Sequence, residues 1–199
     1  MIHSRARTPA MAPPYARSGY SLVEMLAVLT LLGILLAMAV PRLATAGYRN
    51  GATMSALGST MLSAQRAAIA RQHRVIVAVD ATAQTLRVHY DKNEDGAINA
   101  GELVRVEPLP AGTVFGRGSA PAYRIGTGAV SFRGRQGSLP AIVFQRNGAA
   151  SEEGGFYITS ARDARSGGYS RDARMLVVER ATGRVSWSAY DGSTWKQSF

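Results

Sequence analysis

The sequence contains no cysteine. That excludes a disulfide framework, a thiol nucleophile and a thiolate metal site, so any part of the chain outside the cytoplasm is held together by packing alone. Lysine is nearly absent: Lys92 and Lys196 are the only two, and arginine supplies almost all of the positive charge. Histidine is scarce too. His3, His73 and His89 stand singly, with no second histidine at a metal-ligand spacing. No G-x-S-x-G or other nucleophile motif occurs, and the glycine-rich stretches "GRGSA" (116–120) and "GTG" (126–128) lack the P-loop pattern. The residues therefore predict that the chain is not an enzyme.

What is present is charge of one sign. The 199 residues include 23 basic and 13 acidic ones, a net charge of +10. Three of the basic residues, Arg5, Arg7 and Arg17, and none of the acidic ones precede Tyr20, which leaves +7 from there on. Such a balance keeps a protein soluble, and it also favours phosphate backbones, anionic lipid and acidic protein faces. With the first fifty or so residues set aside, about 150 remain, enough for one domain with its own core.

One long apolar run is present, from Leu22 to Val40. Its nineteen residues make a helix of about 28 Å, just enough for a bilayer core of about 30 Å. Basic residues precede it, so the positive-inside rule keeps residues 1–19 in the cytoplasm and exports the rest. A cleaved secretory signal is the competing reading, because "AMA" (37–39) and "ATAG" (44–47) resemble small-residue cleavage sites. The run is longer than the roughly 7–15 residues of a signal core. It also contains Glu24. A carboxylate inside a membrane segment costs about 2–3 kcal/mol at mid-membrane and marks a functional site whose partner has to be found. No basic residue inside the run can be that partner.

Gly19 followed by Tyr20, "SLVE" ending in Glu24, the apolar run and then Pro41 resemble the class III signal of type IV pilins and type II secretion pseudopilins. The resemblance implies that a prepilin peptidase cuts between Gly19 and Tyr20 and that Tyr20 becomes N-methylated. It implies that Glu24 neutralises the N-terminal amine of a neighbouring subunit during assembly, and that Pro41 is the kink-prone proline closing the membrane segment. The leader of nineteen residues is basic, as the family requires, and longer than many of its members'.

Beyond Pro41 the apolar residues Met54, Leu57, Met61, Ala64 and Ala68 recur at three- and four-residue steps and predict one stripe of a helix, with Leu62 and Ile69 flanking it. From Val75 on the chain reads as strands: 75–79, 85–90, 103–107, 129–132, 141–145, 155–159, 175–179 and 184–189, separated by Gly, Pro, Asn and Asp. The fold class expected is α+β. Its parts are a leader (1–19), a transmembrane helix half (20–41), a helix continuation (42–74) and a β-rich globular domain (75–199), with the helix packed on an antiparallel sheet. "RDAR" at 162–165 and 171–174, around "SGGYS", is expected to be a mobile loop.

The stretches "SAQRAAIARQHRVIVAV" (63–79), "VFQRNGAA" (143–150) and "MLVVERATGRVSW" (175–187) resemble a narrower group, the GspH/FimT family of minor pseudopilins and minor pilins. Together with the signal, the resemblance runs from Gly19 to about Trp187. It implies a pilin-like fold and a single-pass protein of the bacterial inner membrane with a periplasmic domain. Its partners would be other pilin-like subunits in a filament and the prepilin peptidase. Two functions are implied: assembly of a type II secretion pseudopilus tip, or a FimT-like minor pilin of a type IV pilus that captures DNA. Some FimT-like proteins use a basic G-R-x-R motif for DNA. Gly183 and Arg184 match it, but Ser186 stands in place of the second arginine. Arg180, Arg184 and Lys196, near Trp187 and Trp195, are the candidate nucleic-acid residues, and the competing reading is a solvated loop and sheet edge.

One motif remains. "DKNEDGAINAGE" (91–102) satisfies D-x-[DN]-x-[DN]-G-x5-E. In a calcium loop Asp91, Asn93 and Asp95 offer side-chain oxygens, Ala97 a carbonyl, Asn99 a direct or water-borne ligand and Glu102 a bidentate carboxylate, with Gly96 at the turn. The flanks read as strands and not as EF-hand helices, so calcium loop and acidic hairpin loop both stand at this level.

Overall fold

The computed structural model describes residues 19–39 and 45–198, with side chains described over 19–35 and 46–197. The leader before Gly19 and the proline at position 41 lie outside the described residues. The chain divides into two compact units, 1–43 and 44–199.

In the first unit α1 runs from Leu22 to Ala39. Ser21 caps it, its Oγ accepting the Glu24 N–H at 3.3 Å and its carbonyl the Met25 N–H at 3.1 Å. Leu22, Val23, Met25, Leu26, Leu29, Leu32 and Leu35 are all exposed, so the helix is apolar on every side rather than along one stripe. Among the described residues no helix is long and apolar enough to cross a membrane; the described side chains of α1 stop at Leu35.

In the second unit α2 (Thr45–Arg71) carries the predicted stripe inward: Met54, Leu57, Met61, Ala64 and Ala68 are all buried. The helix ends three residues earlier than the expected boundary at residue 74. Gln72 adopts φ 56°, a left-handed conformation that ends the helix, and Arg74 already opens a strand. Strands follow as β1 (Arg74–Asp80), β2 (Thr85–Asp91), β3 (Leu103–Pro108), β4 (Thr113–Phe115), β5 (Arg135–Gln136), β6 (Leu139–Phe144), β7 (Gly154–Ser160), β8 (Arg174–Val178), β9 (Val185–Tyr190) and β10 (Trp195–Ser198). They form two antiparallel sheets where one was expected, ordered β3-β2-β1-β6-β5 and β10-β9-β8-β7-β4. The fold is α+β, a long N-terminal helix followed by an antiparallel sheet domain. Residues 129–132, read as a strand, make only an isolated bridge from Val130 to Phe156.

The core lies between α2 and the inner faces of both sheets, where Val75, Val77, Leu86, Val88, Ile142, Phe144, Phe156, Ile158 and Leu176 meet the Met54–Ala68 stripe. Strand alternation sends Ile76 and Ala78 to the outer face of the first sheet, and Tyr157, Met175 and Val177 to the outer face of the second. Gly58 lets Trp187 lie against α2, because a Cβ there would come within 3.3 Å of the indole ring. Buried Asn50 ties the helix to both neighbours, donating to the Asp172 carbonyl (2.8 Å) and accepting from Thr113 (2.8 Å).

The "RDAR" segment differs from the mobile loop expected. It forms α3 (Ala161–Ser166) and a 3-10 turn (Ser170–Asp172) built on two buried aspartates. Asp163 accepts from Ser119 N (3.0 Å), Ser119 Oγ (2.6 Å), Tyr169 N (2.9 Å) and Thr159 Oγ1 (3.2 Å). Asp172 accepts from Ser160 Oγ (2.6 Å) and from Arg162, whose guanidinium also lies 3.9 Å from the Tyr169 ring centroid. Burial pushes the Asp163 carboxyl upward, but the four donors outweigh it and hold it below 3.8. A depressed native pKa stabilises the fold fully above the unfolded value, and that stabilisation is lost progressively as pH falls from there through the lower native value. Asp163→Asn should therefore cost roughly 2–3 kcal/mol at neutral pH. In urea titrations the gap to wild type should close as pH drops below 3.8; a gap independent of pH would refute the assignment.

Candidate functional site

Three sets of residues carry the candidate chemistry. The first is the N-terminal signal. Gly19 and Tyr20 precede α1 in non-helical backbone, and Glu24 sits in its first turn, exposed. None of the ion pairs among the described residues involves Glu24.

The second is the acidic loop between β2 and β3. Strands flank it on both sides, as the sequence predicts. β2 alternates, so Leu86, Val88 and Tyr90 enter the core while Arg87, His89 and Asp91 take the outer face. The first half of the loop is a ladder of carboxylate and amide turns. Asp91 Oδ2 accepts from Gly96 N (3.0 Å), Asn93 Oδ1 from Asp95 N (3.2 Å) and Asp95 Oδ1 from Ala97 N (2.8 Å). Gly96 has φ 78°, which a residue with a Cβ adopts only at a cost. Asp95 Oδ2 receives the side-chain amides of Asn93 (2.9 Å) and Asn99 (2.6 Å). The Ala97 N–H, followed by the Asn99 amide, holds the Asp95 carboxyl below its ordinary value.

Glu102 is placed differently from the bidentate cation ligand expected of the pattern's last position. Oε1 accepts from Lys92 N (2.9 Å) and Oε2 from Asn99 N (3.0 Å) and His89 Nε2 (2.8 Å). The Asn99 N–H and then the His89 ring lower its pKa to about 2. His89 is fully buried, with the Gln136 amide of β5 at its Nδ1 (2.6 Å) and its Nε2 donating a hydrogen bond to the Glu102 carboxylate. This Gln136–His89–Glu102 chain pins the loop to the outer face of the first sheet. A cleft of about 500 Å³ opens beside it, lined by Arg87, Asp95, Gly96 and Gln136 among others. Nothing in the sequence points to this arrangement: His89 stands alone there, and its partners lie 13 and 47 residues away.

Glu94 faces outward, paired with Arg74 (3.7 Å) and Arg146 (3.4 Å). Among the described residues no three His, Asp or Glu side chains converge as a metal-binding group.

The third set is the basic surface. Arg180 and Arg184 sit at the turn between β8 and β9, exposed, while Lys196 lies opposite Ala189 on β10 and pairs with Asp191 at 2.8 Å. Ala189 is five residues along β9 from Arg184, about 16 Å at strand rise. The two tryptophans are on opposite faces of the second sheet: Trp187 packs toward α2, and Trp195 stacks on Tyr123 with its Nε1 donating to the Pro121 carbonyl. The fold thus holds Arg180 and Arg184 apart from Lys196 and turns the two tryptophans to opposite faces.

Comparison with known proteins adds two family matches and one structural match. The prokaryotic N-terminal methylation motif matches residues 15–40, and the family model of the type II transport protein GspH matches residues 53–181. No curated protein matches the sequence. Among solved structures, the crystal structure of the type IV minor pilin FimU of Pseudomonas aeruginosa aligns at 15% identity with a TM-score of 0.46, covering 74% of this chain and 92% of that one.

Proposed function

The chain belongs to the GspH family of type II transport proteins, and from that premise we propose that it is a minor pseudopilin of the bacterial inner membrane, a structural subunit at the tip of a type II secretion pseudopilus with no catalysis of its own. The observation that carries this reading is the order of the two matches, a methylation motif at 15–40 directly ahead of a GspH region at 53–181. The prepilin peptidase removes residues 1–19 and leaves Tyr20 as the methylated N-terminus. The globular unit is periplasmic, and α1 is the single-pass anchor until the subunit enters the filament among other pilin-like subunits.

The physical logic of α1 supports this. An apolar surface on all sides needs lipid or neighbouring helices to cover it. Cleavage before Tyr20 puts an ammonium one residue ahead of the Ser21 cap, at the helix end whose N–H groups already carry partial positive charge. That end calls for a carboxylate, and Glu24 of a second copy supplies one while relieving its own burial. DNA capture gains no support from the three candidate cations, because Arg180 and Arg184 lie apart from Lys196, which is paired with Asp191.

The test is the intact mass of the protein extracted from membranes. A mass that begins at Tyr20 and includes one added methyl group is the expected result. A retained leader, or a soluble product cut after residue 39 or 47, would refute processing by a prepilin peptidase.

A further inference from the structure

We propose that residues 91–99 form a calcium site, with Asp91, Asn93, Asp95, Asn99 and the Ala97 carbonyl as its oxygens and Glu102 as a strut outside the ligand set. The proposal does not depend on which filament the chain joins.

Asp91 carries the argument. It is completely buried at the end of β2, and its Oδ2 reaches across the loop to the Gly96 N–H, so the carboxylate lies inside the loop. Its Oδ1 is buried with no hydrogen-bond partner among the described residues. A buried carboxylate oxygen without a donor is strongly unfavourable, and buried carboxylates are normally paired or bound to a metal. The loop holds four acids, and two of them are accounted for. Glu94 faces Arg74 and Arg146, and Glu102 accepts hydrogen bonds from the His89 ring and three loop N–H groups. Asp91 and Asp95 enter none of the ion pairs among the described residues. Two uncompensated carboxylates in a protein of net charge +10 match one divalent cation.

The donor chemistry selects the ion. Every candidate ligand is an oxygen, and the one nearby imidazole is used at both nitrogens, by Gln136 and Glu102. Carboxylate, amide and carbonyl oxygens suit calcium and magnesium rather than zinc or copper. A turn of mixed side-chain and main-chain oxygens fits the larger, more tolerant coordination shell of calcium. Asn99 already brings its amide to Asp95 Oδ2, and turning that amide end over end puts an oxygen where its nitrogen was, while Asn93 Oδ1 stays at the Asp95 N–H inside the loop. With two carboxylates in the set, the affinity belongs with the weak extracellular modules, a Kd of about 10⁻⁴–10⁻³ M.

The test uses the full chain in detergent, by calorimetric titration and thermal melting with calcium chloride to about 10 mM, tenfold above the weak end of that class. One-site heat is expected, with a melting midpoint raised by roughly 3–6 °C at tenfold excess over Kd. Magnesium chloride should give at least tenfold weaker binding. Asp95→Ala should lose both responses, the heat and the calcium-induced rise in midpoint, while Asp91→Asn should bind at least tenfold more weakly. Glu102→Gln should melt earlier without calcium and still respond to it. Absence of heat and shift at 10 mM calcium, equal responses to calcium and magnesium, or a response that survives Asp95→Ala overturns the proposal.

Discussion

A Glu24→Ala chain should insert in the membrane, lose its leader, and then fail to enter filaments. The substitution deletes the charge within the described part of α1, so insertion becomes easier by up to about 2–3 kcal/mol. Assembly moves the other way. In the filament the proposed partner of Glu24 is an N-terminal ammonium set among apolar helices. Removing one member of a buried ion pair leaves the other uncompensated, which costs about 3–5 kcal/mol. A cost of that size corresponds to a hundredfold or greater loss of incorporation. Quantitative immunoblotting of sheared filaments against the membrane pool measures it, with Glu24→Asp as a charge-preserving control. Normal incorporation of Glu24→Ala would sink the in-trans pairing while leaving the processing prediction intact.

Gly155→Ala should unfold the globular unit at physiological temperature. Gly155 lies on β7 opposite Val177 on β8. A Cβ there would overlap the Leu176 carbonyl oxygen and stand 2.9 Å from its carbon and 3.1 Å from the Val177 Cα. All three atoms are backbone, so no side chain can swing aside, and the two strands would have to part in the middle of their sheet. The neighbouring Phe156 and Ile158 are core residues, and their packing would move with β7. A loss of about 4 kcal/mol, at the exceptional end for a single substitution, is expected. Gly51→Ala is the contrast. Nothing lies within 4 Å of a Cβ at that helical position, and alanine there should be neutral or stabilising by up to about 1 kcal/mol. Circular-dichroism melting of both variants checks the pair. A Gly155→Ala midpoint within about 2 °C of wild type would show that the strands tolerate the added methyl group.

Much of this protein is legible in the sequence because the signals are local. Helix and strand periods are set by the chain's own geometry. The Met54–Ala68 stripe, β1, β2, β3 and β6 to β9 could therefore be read from spacing alone. The N-terminal signal is also local, its glycine, tyrosine and glutamate lying within six residues. Weak local signals were missed. β4 and β5 have three and two residues, too few to show alternation, and β10 forms only against β9.

The sequence by itself determined the fold class, the buried face of α2 and the N-terminal methylation motif with Glu24 at the head of its apolar run, since each follows from a period or a motif a few residues long. The tertiary structure decided what distant polar groups do. It buried Asp163 and Asp172 as hydrogen-bond hubs, turned Trp187 and Trp195 to opposite faces of one sheet, and gave Glu102 to His89 instead of to the loop's interior. A polar residue's role depends on which donors the fold brings within about 3 Å, and those donors come from strands and turns far along the chain. Asp91 shows both halves: its place in the loop pattern is written in the sequence, and its buried, unpaired oxygen exists only in the fold.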